Sequence, residues 1–157
     1  MSTPGSEPIT AEGLRALEAE LTRLETVERL AMSERIKAAR ELGDLKENAE
    51  YHIAKDDQAH LETKIKRLRA RLLAARVVEG DGGDGFAFGR TAEVLDEKTG
   101  RVHTWTIVGA TEADISAGRL ASESPVAQAL LGRAEGDTVK VDTPGGKRSY
   151  VIQKLVD

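Results

Sequence analysis

The chain has 157 residues, a formal net charge of −4 and no cysteine. The lack of cysteine excludes a disulfide framework and a thiolate metal site. Acidic and basic residues are interleaved, so no overall positive field favours free DNA or RNA as a partner. Aromatic residues make up only 3% of the chain, which argues against a large aromatic-lined pocket and against an enzyme that acts alone. No segment has the length and hydrophobicity of a membrane span or a signal peptide, so we expect a cytoplasmic protein with no membrane partner.

Leucines at helical spacing predict one long first helix over residues 10–42, with Thr10 as its N-cap. The apolar stripe of this helix is regular at first and less regular later: Leu14, Leu17, Leu21, Leu24, Val27, Ala31, Ile36 and Ala39. Gly43 stands where a glycine after a helix end is expected. The first helix is therefore predicted to end just before it.

A second apolar stripe predicts a second helix that starts directly after Gly43. The members of this stripe are Leu45, Ala49, Ile53, Leu61, Ile65, Leu68 and Leu72. Two helices of similar length, joined by so short a turn, bury their stripes by folding back on each other. The sequence therefore predicts an antiparallel coiled-coil hairpin over residues 1–78.

The glycine-rich segment 79–85 predicts a flexible linker, followed by a second domain over residues 86–157. In this domain four strand-like segments predict two hairpins, 90–95 with 101–108 and 138–143 with 148–155. Between the hairpins, Ser124 as N-cap, Pro125 at the first helical position and Gly132 after the end mark one short helix. The predicted fold class is α+β, with a helical hairpin followed by a small α+β domain.

Two carboxylates, Asp44 and Glu47, lie at the predicted turn of the hairpin. One interpretation is structural: the pair forms a D-x-x-E capping box for the second helix. The other is functional: both side chains offer oxygens to a hard cation such as Mg²⁺, which takes one or two protein carboxylates and fills its shell with water and phosphate. Two carboxylates do not close a metal site, so this second interpretation requires a partner that supplies the remaining ligands.

Residues 43–51, GDLKENAEY, resemble the hairpin-tip motif of the GreA/GreB family of bacterial transcript-cleavage factors, and within that family they are most similar to GreA. Shorter matches to the family follow in the same order along the second domain: 107–109, 112–114, 124–125, 129–132, 135–137 and 143–146. The resemblance runs from Pro8 to Leu155, so it covers both predicted domains.

The resemblance implies a coiled coil that enters the secondary channel of RNA polymerase and an FKBP-like second domain that docks on the channel rim. It also implies that Asp44 and Glu47 help to hold a Mg²⁺ ion at the polymerase active centre, so that the polymerase cleaves the 3′ end of backtracked nascent RNA. The chain would then activate the nuclease of another enzyme and would not be an enzyme itself. We expect it to act as a monomer.

Six further residues are candidates for contacts with the polymerase or with RNA, and structural alternatives stand beside these roles. Ser122, Ser124 and Pro125 match a family loop that touches the polymerase rim, although Ser124 and Pro125 also suffice to start a helix. Arg40 and Lys46, near the tip, suit contact with RNA phosphates but equally suit a solvated helix face. The Tyr51 ring suits stacking on an RNA base but also suits cover for the apolar stripe.

Three other functions stay open. A Gre-like factor that occupies the same channel and inhibits transcription without cleavage would share the fold. The family resemblance implies that such homologues have a run of aspartates at the tip, in place of the D-x-x-E-N pattern that this chain keeps. A peptidyl-prolyl isomerase or chaperone would use the FKBP-like domain, but it needs an aromatic-lined pocket. A purely structural coiled-coil adaptor would tolerate any good capping residue in place of the tip carboxylates.

One feature departs from the family pattern. Members of the family commonly carry a proline in the middle of the first helix, and residues 29–32 of this chain, RLAM, contain none. We therefore expect the first helix to run straighter here.

Overall fold

The computed structural model describes residues 5–78 and 85–156. Helix α1 spans Ala11–Arg23, helix α2 spans Arg29–Glu41 and helix α3 spans Ala49–Ala74. The Thr10 hydroxyl accepts a hydrogen bond from the Gly13 amide at 2.9 Å, which confirms Thr10 as the N-cap of α1. No helix within the described ranges is long and apolar enough to cross a membrane.

A single π-helical turn, Leu24–Glu28, separates α1 from α2. The Arg29 amide donates to the Leu24 carbonyl oxygen, five residues back, instead of four as in an α-helix. The prediction of one uninterrupted α-helix over residues 10–42 is wrong at this point. The expectation of a straighter first helix loses its basis, because π turns are themselves sites of helix bending.

The π turn explains why the first stripe is irregular. Ile36 follows Leu24 by twelve positions, and twelve α-helical residues would place it about 120° away around the helix. Because the π turn accommodates one extra residue, the offset falls to about 20°. Leu24, Ile36 and Ala39 are accordingly all buried, whereas Val27 and Ala31, which the sequence placed in the stripe, are exposed.

Helix α3 buries the second stripe along its C-terminal part only. The four stripe members after residue 60 are buried or half-buried: Leu61, Ile65, Leu68 and Leu72. The three predicted members before residue 60 are exposed instead: Leu45, Ala49 and Ile53. Steps of three and four counted back from Leu61 reach Ala54, which is fully buried. The prediction for the first half of this helix was therefore one position out of phase.

Four ion pairs join the two arms of the hairpin: Glu20 with Lys64, and three that involve an arginine, Glu25 with Arg69, Arg29 with Glu62, and Arg35 with Asp57. In the three arginine pairs, residue numbers rise along one arm as they fall along the other, so the arms are antiparallel and the predicted hairpin is confirmed. The hydrogen bond from Arg29 holds the pKa of Glu62 below its ordinary value. All four pairs face solvent, where each contributes at most about 1 kcal/mol. The buried stripes therefore contribute more to the hairpin than its charges.

The strands are β1 (Glu7–Ile9), β2 (Ala75–Val77), β3 (Thr91–Asp96), β4 (Val102–Val108), β5 (Arg119–Ala121), β6 (Thr138–Thr143) and β7 (Gly146–Leu155). β1 pairs with β2, and the other five form one sheet in the order β5-β4-β3-β7-β6. Both predicted hairpins, β3 with β4 and β6 with β7, are confirmed. β5 runs parallel to β4 and was not predicted, because a three-residue strand carries little sequence pattern.

A short helix, α4 (Pro125–Leu130), packs against this sheet. Its N-cap is Ser124, whose hydroxyl accepts from the Ala127 amide at 3.3 Å, as predicted. The core between helix and sheet holds the largest fully buried side chains of this region: Phe86, Val94, Ile107, Leu130 and Ile152. The α+β fold class predicted from the sequence is confirmed.

The chain divides into two compact units, and the start of α1 belongs with the sheet. One unit contains Leu14–Ala75, and the other contains Glu7–Gly13 together with the residues from Arg76 onward. The Glu112 carboxylate explains this grouping, because it accepts hydrogen bonds from the Thr10 amide at 3.1 Å, the Thr10 hydroxyl at 2.5 Å and the Gly109 amide at 3.0 Å.

The predicted domain division, residues 1–78 and 86–157, stays a prediction. Apart from Gly85, the linker predicted over residues 79–85 lies outside the described residues.

Candidate functional site

The two arms of the hairpin are joined by a loop over residues 42–48. The last turn of α2 closes with hydrogen bonds from the Leu42 amide to the Ala39 carbonyl at 3.2 Å and from the Gly43 amide to the Arg40 carbonyl at 3.3 Å. Gly43 has φ +122°, a backbone conformation that side chains disfavour. The prediction that the second helix starts directly after Gly43 is wrong, since α3 begins only at Ala49.

Asn48 is the N-cap of α3. Its Oδ1 accepts a hydrogen bond from the Tyr51 amide at 3.0 Å, and its backbone is extended with φ −87° and ψ 94°. The capping-box interpretation of Asp44 and Glu47 is therefore wrong, because neither residue stands at the helix start. Asp44 lies four positions before the N-cap, and its side chain makes a local bond within the loop instead.

The carboxylates of Asp44 and Glu47 are exposed in the loop. Asp44 Oδ1 accepts from the Lys46 amide at 3.0 Å, which forms an Asx turn and leaves Oδ2 available. Within residues 5–78 and 85–156 no group of three or more His, Asp or Glu side chains is arranged to hold a metal ion. The tip thus offers two hard oxygen donors but not a complete set of metal ligands.

The three residues predicted to contact RNA all lie at the tip. Arg40 is exposed in the last turn of α2, and its guanidinium carbon lies 5.9 Å from the centre of the Tyr51 ring. Tyr51 is half-buried in the first turn of α3, and its ring lies 5.7 Å from the His52 ring, centre to centre, in a T-shaped arrangement. The Lys46 side chain is exposed, while its carbonyl oxygen lies 3.3 Å from His52 Nε2. The fold thus brings a cation and an aromatic ring together beside the acidic loop.

The three residues predicted to touch the polymerase rim lie together before and at the start of α4. Ser122 is half-buried, and its carbonyl accepts from Gln128 Nε2 at 2.6 Å. Ser124 caps the helix, and Pro125 is exposed at its first position. The structural alternative for Ser124 and Pro125, that they start a helix, is confirmed. Pro125 is nevertheless exposed at the surface.

Comparison with known proteins matches the whole of this architecture to one family. The model described as "Transcription elongation factor, N-terminal" matches residues 7–77, and the model described as "Transcription elongation factor, GreA/GreB, C-term" matches residues 81–156. The chain belongs to the GreA/GreB family of transcription elongation factors.

Relatives within the family cover nearly the full chain. A transcription elongation factor GreA of Cereibacter sphaeroides is 49% identical over 146 residues, which are 92% of this chain and 94% of that protein. The GreA of Phenylobacterium zucineum is 45% identical over 150 residues, 94% and 96% of the two chains. A crystal structure of the GreA factor homolog 1 of Thermus thermophilus is 27% identical, covers 96% of this chain and 98% of that one, and has a TM-score of 0.42.

In this GreA/GreB family member, the role of one tip residue, Asn48, was not predicted from the sequence. Asn48 caps α3 through its Oδ1, and its Nδ2 donates a hydrogen bond to a carbonyl oxygen of α2. The signal for its role was present, since asparagine is among the preferred N-cap residues. Asp44 matched the same rule, however, and propensity alone does not choose between two capping candidates four positions apart.

Proposed function

We propose that this chain binds RNA polymerase, inserts its helical hairpin into the secondary channel, and stimulates Mg²⁺-dependent cleavage of the 3′ end of backtracked nascent RNA. Membership of the GreA/GreB family supports transcription elongation as the process. The observation that carries the cleavage role is the tip loop, where Asp44 and Glu47 are exposed between two long helices. Two carboxylates that face solvent in a loop cause little loss of folding free energy in the free protein, and they are accessible to a partner.

The donor set at the tip suits Mg²⁺ in a shared site. Asp44 Oδ1 accepts a hydrogen bond from the Lys46 amide, and this bond orients the carboxylate while Oδ2 can bind a cation. Glu47 lies three residues on in the same loop and is equally exposed. A Mg²⁺ ion held there would stabilise the charge that develops on a phosphodiester during hydrolysis. The remaining ligands would come from the polymerase and the RNA, so the chain is an activator of the polymerase nuclease.

Exposed apolar side chains around the tip support insertion into a protein channel. Leu42 is 66% exposed, Leu45 is 42% exposed and Ile53 is 54% exposed. Leu42 and Ile53 line an open groove of about 460 Å³ between the arms. Large apolar side chains clustered at one end of a hairpin are typical of a surface that a partner covers.

Contacts with RNA and with the channel rim complete the proposal. Arg40 and Lys46 would meet RNA phosphates beside the acidic loop, and the Tyr51 ring would support Arg40 or stack on a base. Ser122, Ser124 and the exposed Pro125 would touch the rim. The chain is proposed to act as a monomer.

The test is a transcript-cleavage assay on stalled, backtracked RNA polymerase with the full chain and its Asp44→Asn and Glu47→Gln variants. Asparagine keeps an acceptor for the Lys46 amide and removes the charge, so we expect the free energy of unfolding to change by less than about 0.5 kcal/mol. Cleavage at saturating factor should fall at least about tenfold, equivalent to roughly 1.4 kcal/mol. Asp56→Asn is the matched control, because Asp56 is exposed on α3 outside the loop.

Each result has a definite meaning. Both tip variants should still compete with the wild-type protein for polymerase, since they keep the fold and the rim residues. Full cleavage by Asp44→Asn at limiting Mg²⁺ would contradict the metal role. A wild-type protein that binds polymerase and slows synthesis without cleaving RNA would establish the inhibitory alternative instead.

A further inference from the structure

Asn48 joins the two arms of the hairpin through one side chain. Its Oδ1 accepts from the Tyr51 amide at 3.0 Å on α3, and its Nδ2 donates to the Ala39 carbonyl oxygen at 2.5 Å on α2. The side chain is half-buried, and Ala39 is buried. The amide group therefore bridges the end of one helix and the start of the next, across the base of the tip loop.

The bridge supplies a second hydrogen bond to a carbonyl oxygen at the end of a helix. Carbonyl groups in the last turn of a helix have no amide four residues on within the helix. The Ala39 carbonyl accepts a 3.2 Å bond from the Leu42 amide, and the amide of Asn48 adds the second bond. The loop over residues 42–47 is thus held at both ends by neighbouring hydrogen bonds. It carries its own Asx turn between Asp44 and Lys46.

We propose that Asn48 is a positioning residue for the tip carboxylates: its amide bridge to Ala39 holds the loop in the form that presents Asp44 and Glu47 together. This inference rests on the proposed cleavage function. The proposed role of Asn48 involves no contact with RNA or with metal. It acts by limiting the conformations of the loop, so that the two carboxylates do not have to be ordered when the partner binds.

Among the side chains that rank with asparagine as N-caps, aspartate and serine each satisfy only one of the two contacts. Aspartate at position 48 would keep an acceptor for the Tyr51 amide, but its second oxygen would face the Ala39 carbonyl oxygen with no proton between them. Serine would keep an N-cap acceptor, but its hydroxyl sits one bond closer to the backbone and does not span to α2. Both residues rank close to asparagine as N-caps. Asn48→Asp and Asn48→Ser therefore keep the cap and remove the bridge, one with an added charge and one without.

The first measurement uses the free full-length protein and needs no polymerase. Hydrogen exchange of the loop amides, in particular that of Lys46, should be at least about fivefold faster in Asn48→Ser than in the wild type. Exchange in the middle of α3 should be unchanged, and the melting temperature should stay within a few degrees. Loop amides that exchange at wild-type rates in both variants would overturn the proposal.

The second measurement is cleavage by backtracked polymerase as a function of factor and of Mg²⁺. A positioning role predicts that the maximal cleavage rate falls at least about fivefold in both variants and that half-saturation shifts to higher Mg²⁺. The factor concentration for half-maximal effect should stay within about twofold of the wild type. A purely structural cap would leave the Mg²⁺ dependence unchanged, and that result would overturn the proposal.

The two hypotheses fail in different ways. If the wild-type protein does not stimulate cleavage at all, the proposed function is wrong, and the exchange rates then decide the loop-ordering claim by themselves. If the wild type stimulates cleavage and both variants retain full activity with unchanged Mg²⁺ dependence, the function stands and the positioning role of Asn48 is wrong.

Discussion

Deletion of Thr26 from the π turn should leave the hairpin as stable as the wild type. The turn accommodates one extra residue, so the deletion converts it to an α-helical turn. Leu24 and Ile36 would then be eleven positions apart, still within about 20° of the same helix face. Thr26 itself is exposed, and its hydroxyl donates only to the Thr22 carbonyl at 2.7 Å. We expect a change of less than about 1 kcal/mol in the free energy of unfolding.

Deletion of Thr63 is the matched control. Thr63 is also an exposed threonine whose hydroxyl donates four residues back, to the Ala59 carbonyl at 3.0 Å. It lies in α3, where no π turn is present to absorb the change. The deletion would rotate Ile65 and Leu68 about 100° relative to the preceding stripe. Exposure of these two buried side chains would cost about 3 to 6 kcal/mol, comparable with the whole stability of a small domain.

Urea denaturation followed by far-UV circular dichroism would measure both variants. The helical signal should persist to nearly the same urea concentration without Thr26 and should be lost at much lower urea without Thr63. Equal destabilisation by the two deletions would refute the argument that the π turn keeps the stripe in phase. The π turn would then be a feature of the helix with no role in packing.

Two further substitutions test the sheet unit. Gly109→Ala would place a methyl carbon 2.2 Å from the Pro8 carbonyl oxygen, which is a clash between two backbone segments. Urea denaturation should therefore show that the free energy of unfolding falls by roughly 1–3 kcal/mol. An unchanged midpoint would mean that β1 can shift to make room without a loss of stability. The second substitution concerns Asp96, which is 2% exposed and forms an ion pair with Arg148 at 2.7 Å. Burial raises the pKa of Asp96. Hydrogen bonds from the Lys98 amide and from Arg148 outweigh this effect and hold the pKa of Asp96 below its ordinary value. A carboxyl group whose pKa is lowered by folding stabilises the folded protein when the pH is above the unfolded-state pKa of about 3.9. This stabilisation is lost as the pH falls through the folded-state pKa. Asp96→Asn should therefore be less stable than the wild type at pH 7, with the difference narrowing toward pH 3, and a difference that does not vary with pH would contradict this account.

Most of the secondary structure could be predicted from local sequence signals. Thr10 and Ser124 cap helices because their hydroxyls reach an amide three residues on, and such contacts need nothing from the rest of the chain. The two strand hairpins were predicted because their strands are neighbours in sequence and flank recognisable turns. The position of Asp44 and Glu47 at the tip of the hairpin was also predicted correctly, although the loop that holds them was predicted as the first turn of the second helix.

The residue that caps α3 at the candidate site could be identified only from the tertiary structure. Asp44 and Asn48 are both residue types that favour the N-cap position, and the prediction of Asp44 as the cap is wrong. Asn48 caps the helix in the structure because its side chain also reaches the Ala39 carbonyl on the opposite arm. That carbonyl is nine residues away in sequence and is brought close only when the hairpin closes.

The sequence by itself determined most of the helical segments, the four strands of the two hairpins, and which residues stand at the hairpin tip. The tertiary structure decided the phase of the stripes, the π turn that restores it, the pairing of β5 with β4, and the bonds between Thr10 and Glu112. The physical reason is the range of the interactions. Caps, turns and periodicity act over a few residues, whereas phase and pairing are selected by contacts with segments far away in the chain, where several local options have nearly equal free energy.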